Sequence, residues 1–306
     1  MKLISAFLQV IRWPNLVFII LAQLLFYFCV YVPLFDTPAP ATLGWLIVAS
    51  VLIAAAGYII NDYFDLNIDQ VNKPDKNVFI KTVNRRSAII WHFMLSLAGV
   101  AATFYAVGWH KWYIILANAG CVVLLWVYST SLKRQLLIGN IVISLLTAWT
   151  ILVLFFAFTE PQQALAGSTQ ESVKFFRIAF LYGAFAFIIS LVREAIKDMQ
   201  DLEGDARYGC RTLPVVAGIR VTRIYTSIWM IVLLASLVIL QLYVLQFGWW
   251  PAILYSVVAV ILPLIYGMSL LSRARTSREF GLLSGLTKII MFTGIFSMIF
   301  FRIYLR

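Results

Sequence analysis

The sequence predicts an all-α polytopic membrane protein, about nine transmembrane helices in one bundle around a central cavity. Three observations carry that expectation. Apolar residues make up 62% of the 306-residue chain and charged residues 12%, whereas a soluble domain is nearer half apolar and about a quarter charged. The apolar residues fall into runs of the ~20 residues that a spanning helix needs. Lys and Arg are distributed unevenly between the two sets of connections. A mean hydropathy of +0.92 leaves more apolar surface than one globular core can hide. Helices follow rather than strands, because an open sheet cannot leave its backbone groups unpaired in lipid.

The spans run roughly 13–35, 43–62, 88–109, 112–131, 137–159, 174–196, 222–247, 251–272 and 281–304. The first is longer than the apolar core of a signal peptide, and "APA" at Ala39–Ala41 has Pro in the middle of the cleavage pattern. It reads as a retained helix. The second begins with "WLIVASVLIAAA", Trp45–Ala56, and runs into a polar stretch. The fourth ends in "YSTSLK", and the sixth leads into "REAIKDMQDLEGD", Arg193–Asp205. The ninth contains one Lys, Lys288. The largest polar inserts, about 62–87 and 197–221, are too short to stand as soluble domains, so residues 1–306 read as one transmembrane domain.

With the N-terminus inside, 18 of the 24 Lys and Arg residues fall on the cytoplasmic side and 5 outside, with Lys288 within a span. This bias sets the orientation and puts both polar inserts in the cytoplasm. It also accounts for the net charge of +11 without nucleic acid. Cys29, Cys121 and Cys210 follow no metal-ligand spacing and read as small buried hydrophobes; His92 and His110 form no cluster.

Chemistry concentrates in the aspartates. The chain has eight, and six fall in two copies of one pattern, D-x-x-D-x-x-x-D: Asp62, Asp65 and Asp69, then Asp198, Asp201 and Asp205. Steps of three and four put each trio on one face of a helix, where like charges repel unless a cation compensates. A single such motif is equally well a solvated loop end. Two, in a chain so poor in acids, point to paired carboxylate clusters holding divalent metal. All-oxygen ligands select Mg²⁺, with Mn²⁺ as a substitute. Mg²⁺ commonly keeps waters and substrate phosphates in its shell, so a phosphorylated substrate is implied. Lys73, Lys76, Lys133, Arg134, Arg193 and Lys197 are expected on the same side.

A lipidic diphosphate fits a metal-bridged site at the end of an apolar bundle. Its chemistry would be ionisation, with metal and cations taking up charge on the leaving pyrophosphate and an allylic carbocation left in an apolar, aromatic-rich cavity. A lipophilic acceptor would then capture it.

These motifs resemble the UbiA superfamily of intramembrane prenyltransferases along nearly the whole chain. "NDYFDLNID" matches its first signature at Asn61, Asp62, Asp65 and Asp69, and "DMQDLEGD" matches the second at Asp198, Asp201 and Asp205. "RWPN" resembles the first-helix pattern, which implies Asn15 near the acceptor pocket and Arg12 near the entrance. "YSTSLK" resembles the fourth-helix pattern, which implies Tyr128, Ser129 and Lys133 along the substrate cavity, with Lys133 toward the diphosphate. Arg193 and Lys197 stand where the family has cations before its second motif. The resemblance implies that the six aspartates are the catalytic metal ligands, with the diphosphate on Mg²⁺ between the two motifs and the isoprenoid tail in the bundle.

One segment departs from the family. "NKPDKNVFIKTVNRR" has Lys76 where an Arg is usual, Asn77 for a Pro, and no Gly, so acceptor choice is open here. This variant resembles the branch that transfers geranylgeranyl groups from geranylgeranyl diphosphate to geranylgeranylglyceryl phosphate, making an ether lipid. For such a phosphate-bearing acceptor Lys81, Arg85, Arg86 and Arg134 are available cations. An aromatic acceptor such as 4-hydroxybenzoate or another quinone precursor is the alternative. Of other classes, a cation-coupled transporter would place its acids near mid-bilayer rather than at span ends. A phosphatidyl-alcohol transferase would carry an Asp-Gly signature that is missing.

Overall fold

The computed structural model describes residues 7–72, 84–159 and 169–305. Among them there is no strand, and nine helices are long and apolar enough to cross a membrane. They are α1 (Trp13–Phe35), α2 (Pro40–Asn72), α3 (Arg85–Val107), α4 (Trp109–Thr130), α5 (Ile138–Phe158), α6 (Gln170–Gln200), α8 (Leu213–Leu245), α9 (Trp250–Arg273) and α10 (Ser277–Tyr304). A short α7, Leu202–Arg207, lies between α6 and α8.

Two spans run well past their expected ends. α2 reaches Asn72 rather than stopping near 62, and α6 ends at Gln200 rather than near 196. The 33 residues of α2 make about 50 Å of helix, against ~30 Å of hydrocarbon. Its surplus turns stand beyond the apolar layer, where water solvates carboxylates and the helix need not break. The first aspartate trio is therefore on a helix rather than in a loop. The second trio corrects the expectation in the other direction. α6 ends at Gln200, Asp201 leaves helical geometry (φ −96°, ψ 10°), and Asp205 belongs to α7. These three acids do not share one face of one helix.

Prolines shape two spans. α1 and α9 each widen into a π turn, Tyr27–Tyr31 and Val257–Ile261, two residues before Pro33 and Pro263. Proline has no N–H and crowds the carbonyl of the preceding turn, and the wider turn absorbs that misfit. α8 is interrupted at Gly218, whose φ of +80° is a region that glycine favours.

α2 packs against α3 through small residues. A Cβ on Gly99 would lie 2.7 Å from Ile53 Cγ1 and 3.3 Å from the Ala49 carbonyl. Such close approach is how helices gain packing energy where lipid is as apolar as the side chains. At the end of the bundle away from the aspartates, Phe26, Tyr27, Tyr31, Phe155 and Phe175 form a buried aromatic cluster. Asn118, buried within the bundle, donates to Thr103 and accepts from Trp149 Nε1, each at 2.8 Å. Lys111 Nζ donates to the Ala157 carbonyl at 2.7 Å, a cation capping the C-terminus of α5.

Candidate active site

The extended ends of α2 and α6 turn toward each other. Asn72, on the last residue of α2, accepts a hydrogen bond from the Gly204 N–H of α7 at 2.9 Å. The Arg211 N–H donates to the Arg134 carbonyl at 2.8 Å and ties the segment after α7 to the α4–α5 turn. With these ties in place, Asp62, Asp65, Asp69, Asp198, Asp201 and Asp205 all line one cavity of about 1110 Å³. That exceeds the ~300–1,000 Å³ of ordinary small-molecule pockets, room suited to a long lipid chain. Much of the remaining wall is apolar or aromatic, including Phe18, Ile53, Leu125, Phe185 and Phe301.

Cations and amides hold the carboxylates. Arg12 Nη2 lies 2.5 Å from Asp62 Oδ1, and the guanidinium sits over the Tyr58 ring at 5.2 Å. The Arg12 backbone is left-handed (φ 52°, ψ 51°), strain of the kind that persists where the surroundings fix a side chain. The charge of Asp62 raises the Arg12 pKa and keeps it protonated. Asp65 accepts from Lys133 Nζ and, at 2.7 Å, from Asn61. Asp198 accepts from Asn140 at 2.8 Å. Asp205 accepts from the Thr212 hydroxyl at 3.3 Å; burial, then the charge of Asp201, pushes its pKa up to about 6.

Of the other residues singled out in the sequence, Asn15, Asn61, Tyr128, Lys133, Arg193 and Lys197 line the same cavity. Ser129 does not. It follows Tyr128 on a helix, where consecutive residues diverge by about 100°, and its buried hydroxyl bonds back to the Leu125 carbonyl at 2.8 Å. Lys73, Lys76 and Lys81 lie outside the described residues. Arg85, Arg86 and Arg134 are exposed and not among the lining residues. Cys121 and Cys210 are buried yet line the wall.

Sequence reasoning missed several participants. Glu194, 7% exposed, accepts from Arg193 and Lys197, each at 3.0 Å. Lys288 reaches across from α10 to Asn15 Oδ1 at 3.2 Å. Both carry a signal that could have found them, an ionisable residue inside an apolar span. Asn72 and Asn140 carry none, because their partners are distant in sequence.

The donor set suits a hard divalent cation. It is all oxygen, and the acids of α2, α6, the α6–α7 junction and α7 face one space. Among the described residues no three acids, His or Cys converge into a closed cage. A divalent ion held here would complete its shell with waters and phosphate oxygens.

Residues 22–293 match the model of the UbiA prenyltransferase family. The chain belongs to that family. With nine apolar helices among the described residues, this UbiA member is an integral, multi-pass membrane protein. It is 32% identical over 203 residues to the digeranylgeranylglyceryl phosphate synthase of Methanothermobacter thermautotrophicus, a match covering 65% of each chain. It is 31% identical over 240 residues to the enzyme of that name from Methanospirillum hungatei, covering 78% of each. The first alignment thus spans just under two thirds of the relative. A UbiA homolog from Archaeoglobus fulgidus, solved bound to DMAPP and Mg²⁺, superposes with a TM-score of 0.60 at 17% identity, covering 96% of this chain and 98% of that one. This last likeness establishes the fold.

Proposed function

We propose that this protein transfers the prenyl group of geranylgeranyl diphosphate, or a similar prenyl diphosphate, to geranylgeranylglyceryl phosphate. The observation that carries the reading is the cavity itself: two aspartate sets and Lys133 stand over a long, largely apolar chamber. The names of the two archaeal relatives support the acceptor. The A. fulgidus homolog, with its DMAPP and Mg²⁺, supports the donor class and the metal, and Mn²⁺ is expected to substitute.

In this reading Asp62, Asp65, Asp69, Asp198, Asp201 and Asp205 would hold Mg²⁺, which would supply positive charge to the leaving diphosphate. Lys133 serves the diphosphate from the α4–α5 turn, Lys197 adds positive charge from α6, and Arg193 of the same helix faces the cavity as a further substrate-binding cation. Tyr128 and Phe185 present aromatic faces to the allylic cation, and the apolar wall keeps water from it. The C–O bond to diphosphate breaks first, the acceptor hydroxyl then forms the new C–O bond to the allylic cation, and its proton is released with pyrophosphate. Residues 1–306 act as one transmembrane domain. The 18-to-5 bias of basic residues supports a cytoplasmic N-terminus and a cytoplasmic aspartate mouth. A cysteine placed at Lys2 should then stay unlabelled by an impermeant maleimide in sealed cells.

The test is a transfer assay in detergent with radiolabelled geranylgeranyl diphosphate, offered geranylgeranylglyceryl phosphate or 4-hydroxybenzoate. The expected result is label in an ether lipid and release of pyrophosphate, both lost with EDTA and restored by Mg²⁺. Label on 4-hydroxybenzoate alone would overturn the acceptor assignment. Absence of transfer to either acceptor, with no pyrophosphate released, would overturn the reaction.

A further inference from the structure

Between Glu279 and Arg302, Lys288 is the one charged residue of α10. A charge so placed in a spanning helix is expensive and calls for a function. Its depth can be read from the packing. Ser277 Oγ donates to the Gln200 carbonyl at 2.9 Å, which sets the start of α10 level with the end of α6. Measured from that level at 1.5 Å per residue, the backbone of Asp198 is about 3 Å deep, Arg193 about 10 Å and Lys288 about 16 Å. Lys288 is therefore rooted below the carboxylate layer, and its long side chain reaches back up the cavity to Asn15.

The charges around it do not balance. Arg193 and Arg12 repel Lys288, and Glu194 attracts it. Arg12 is occupied by Asp62. Lys197 also faces Asp198, which leaves Arg193 and Lys288 to share Glu194, two positive charges against one negative. Arg193 Nε is also buried with no hydrogen-bond partner. A buried donor without a partner and a surplus of positive charge, facing one cavity, match a phosphate monoester, which carries roughly −1.5 to −2 near pH 7.

This group stands apart from Lys133. Lys133 follows α4 and pairs with Asp65 of α2, whereas Lys288 belongs to α10, packed on α6 and α1. We infer that Lys288, together with Arg193, forms a second anion subsite in this cavity that takes the phosphate of the acceptor. The inference rests on the proposed transfer to a glyceryl phosphate. It explains how such an acceptor is held beside the diphosphate: its hydroxyl is only a few bonds from its phosphate, so the two anion subsites must adjoin.

Wild-type protein is assayed first, with geranylgeranylglyceryl phosphate and with geranylgeranylglycerol, which lacks the phosphate. A clear preference for the phosphorylated acceptor is expected. If the wild type prenylates neither, the functional reading fails before any variant is made. Lys288→Ala and the longer Lys288→Gln should then raise KM for geranylgeranylglyceryl phosphate roughly 10- to 100-fold, the scale of one charge-assisted hydrogen bond. KM for geranylgeranyl diphosphate should stay within about twofold, the preference over geranylgeranylglycerol should largely vanish, and Lys288→Arg should restore most of it. An unchanged acceptor KM in monodisperse Lys288→Gln protein would overturn the subsite. So would a rise in donor KM equal to the rise in acceptor KM.

Discussion

Asn72 at the end of α2 accepts a hydrogen bond from the Gly204 backbone of α7, a 2.9 Å tie across 132 residues of sequence. It joins the helix that carries the first aspartate set to the short helix that carries Asp205. The contact is tight: a Cβ on Gly204 would lie 2.5 Å from the Asn72 side-chain amide. Gly204→Ala should push that amide aside and let the two sets drift apart. The expected outcome is a rise of about tenfold in the Mg²⁺ concentration for half-maximal transfer, the scale of one lost hydrogen bond to a buried group. KM for the acceptor should change little. Asn72→Ala should act in the same direction, and metal titrations of both variants check it.

Loss of a carboxylate from either set should be far more severe. Asp62→Ala removes an anion from α2 and Asp198→Ala one from α6, while no span is shortened. Turnover should fall on the order of 100- to 1,000-fold, as when a group that stabilises transition-state charge is removed. Membrane insertion and gel-filtration behaviour should be unchanged. Near-normal turnover in either variant would remove its aspartate from the metal set.

Lys133 is ion-paired to Asp65, whereas Lys288 bonds to Asn15. Lys133→Ala should raise KM for the prenyl diphosphate about tenfold or more, with a smaller change for the acceptor. Steady-state kinetics with each substrate varied in turn will show the split. The reverse pattern would exchange the roles of the two lysines.

One prediction concerns stability alone. Gly99 lets α3 approach α2 so closely that a Cβ there would lie 2.7 Å from Ile53 Cγ1. Gly99→Leu should overpack this contact and destabilise the bundle by roughly 1–3 kcal/mol. A lower unfolding temperature in detergent, with the Mg²⁺ requirement of the remaining active protein unchanged, is the expected result.

The sequence by itself determined the class of molecule. Runs of ~20 apolar residues have one stable form in lipid, because each backbone N–H must find its partner within its own helix. The repeated aspartate spacing was legible for the same local reason: few compositions put six of eight aspartates into two identical patterns without chemistry behind them. Long-range facts were not legible. Helix ends slid outward because charged residues are solvated beyond the apolar layer and need not end a helix, so the first trio proved helical. Asp201 broke the second trio, a local backbone choice that three-and-four spacing does not encode. Ser129 turned from the cavity because its neighbour Tyr128 faces it. Only the tertiary structure brought Asn72 to Gly204, and only it set Lys288 beside Asn15 and Arg193 while Arg85, Arg86 and Arg134 stayed at the surface. The physical reason is common to all of these. Hydropathy and spacing act within one helix, whereas the direction a side chain faces across the bundle is decided by which helices pack together.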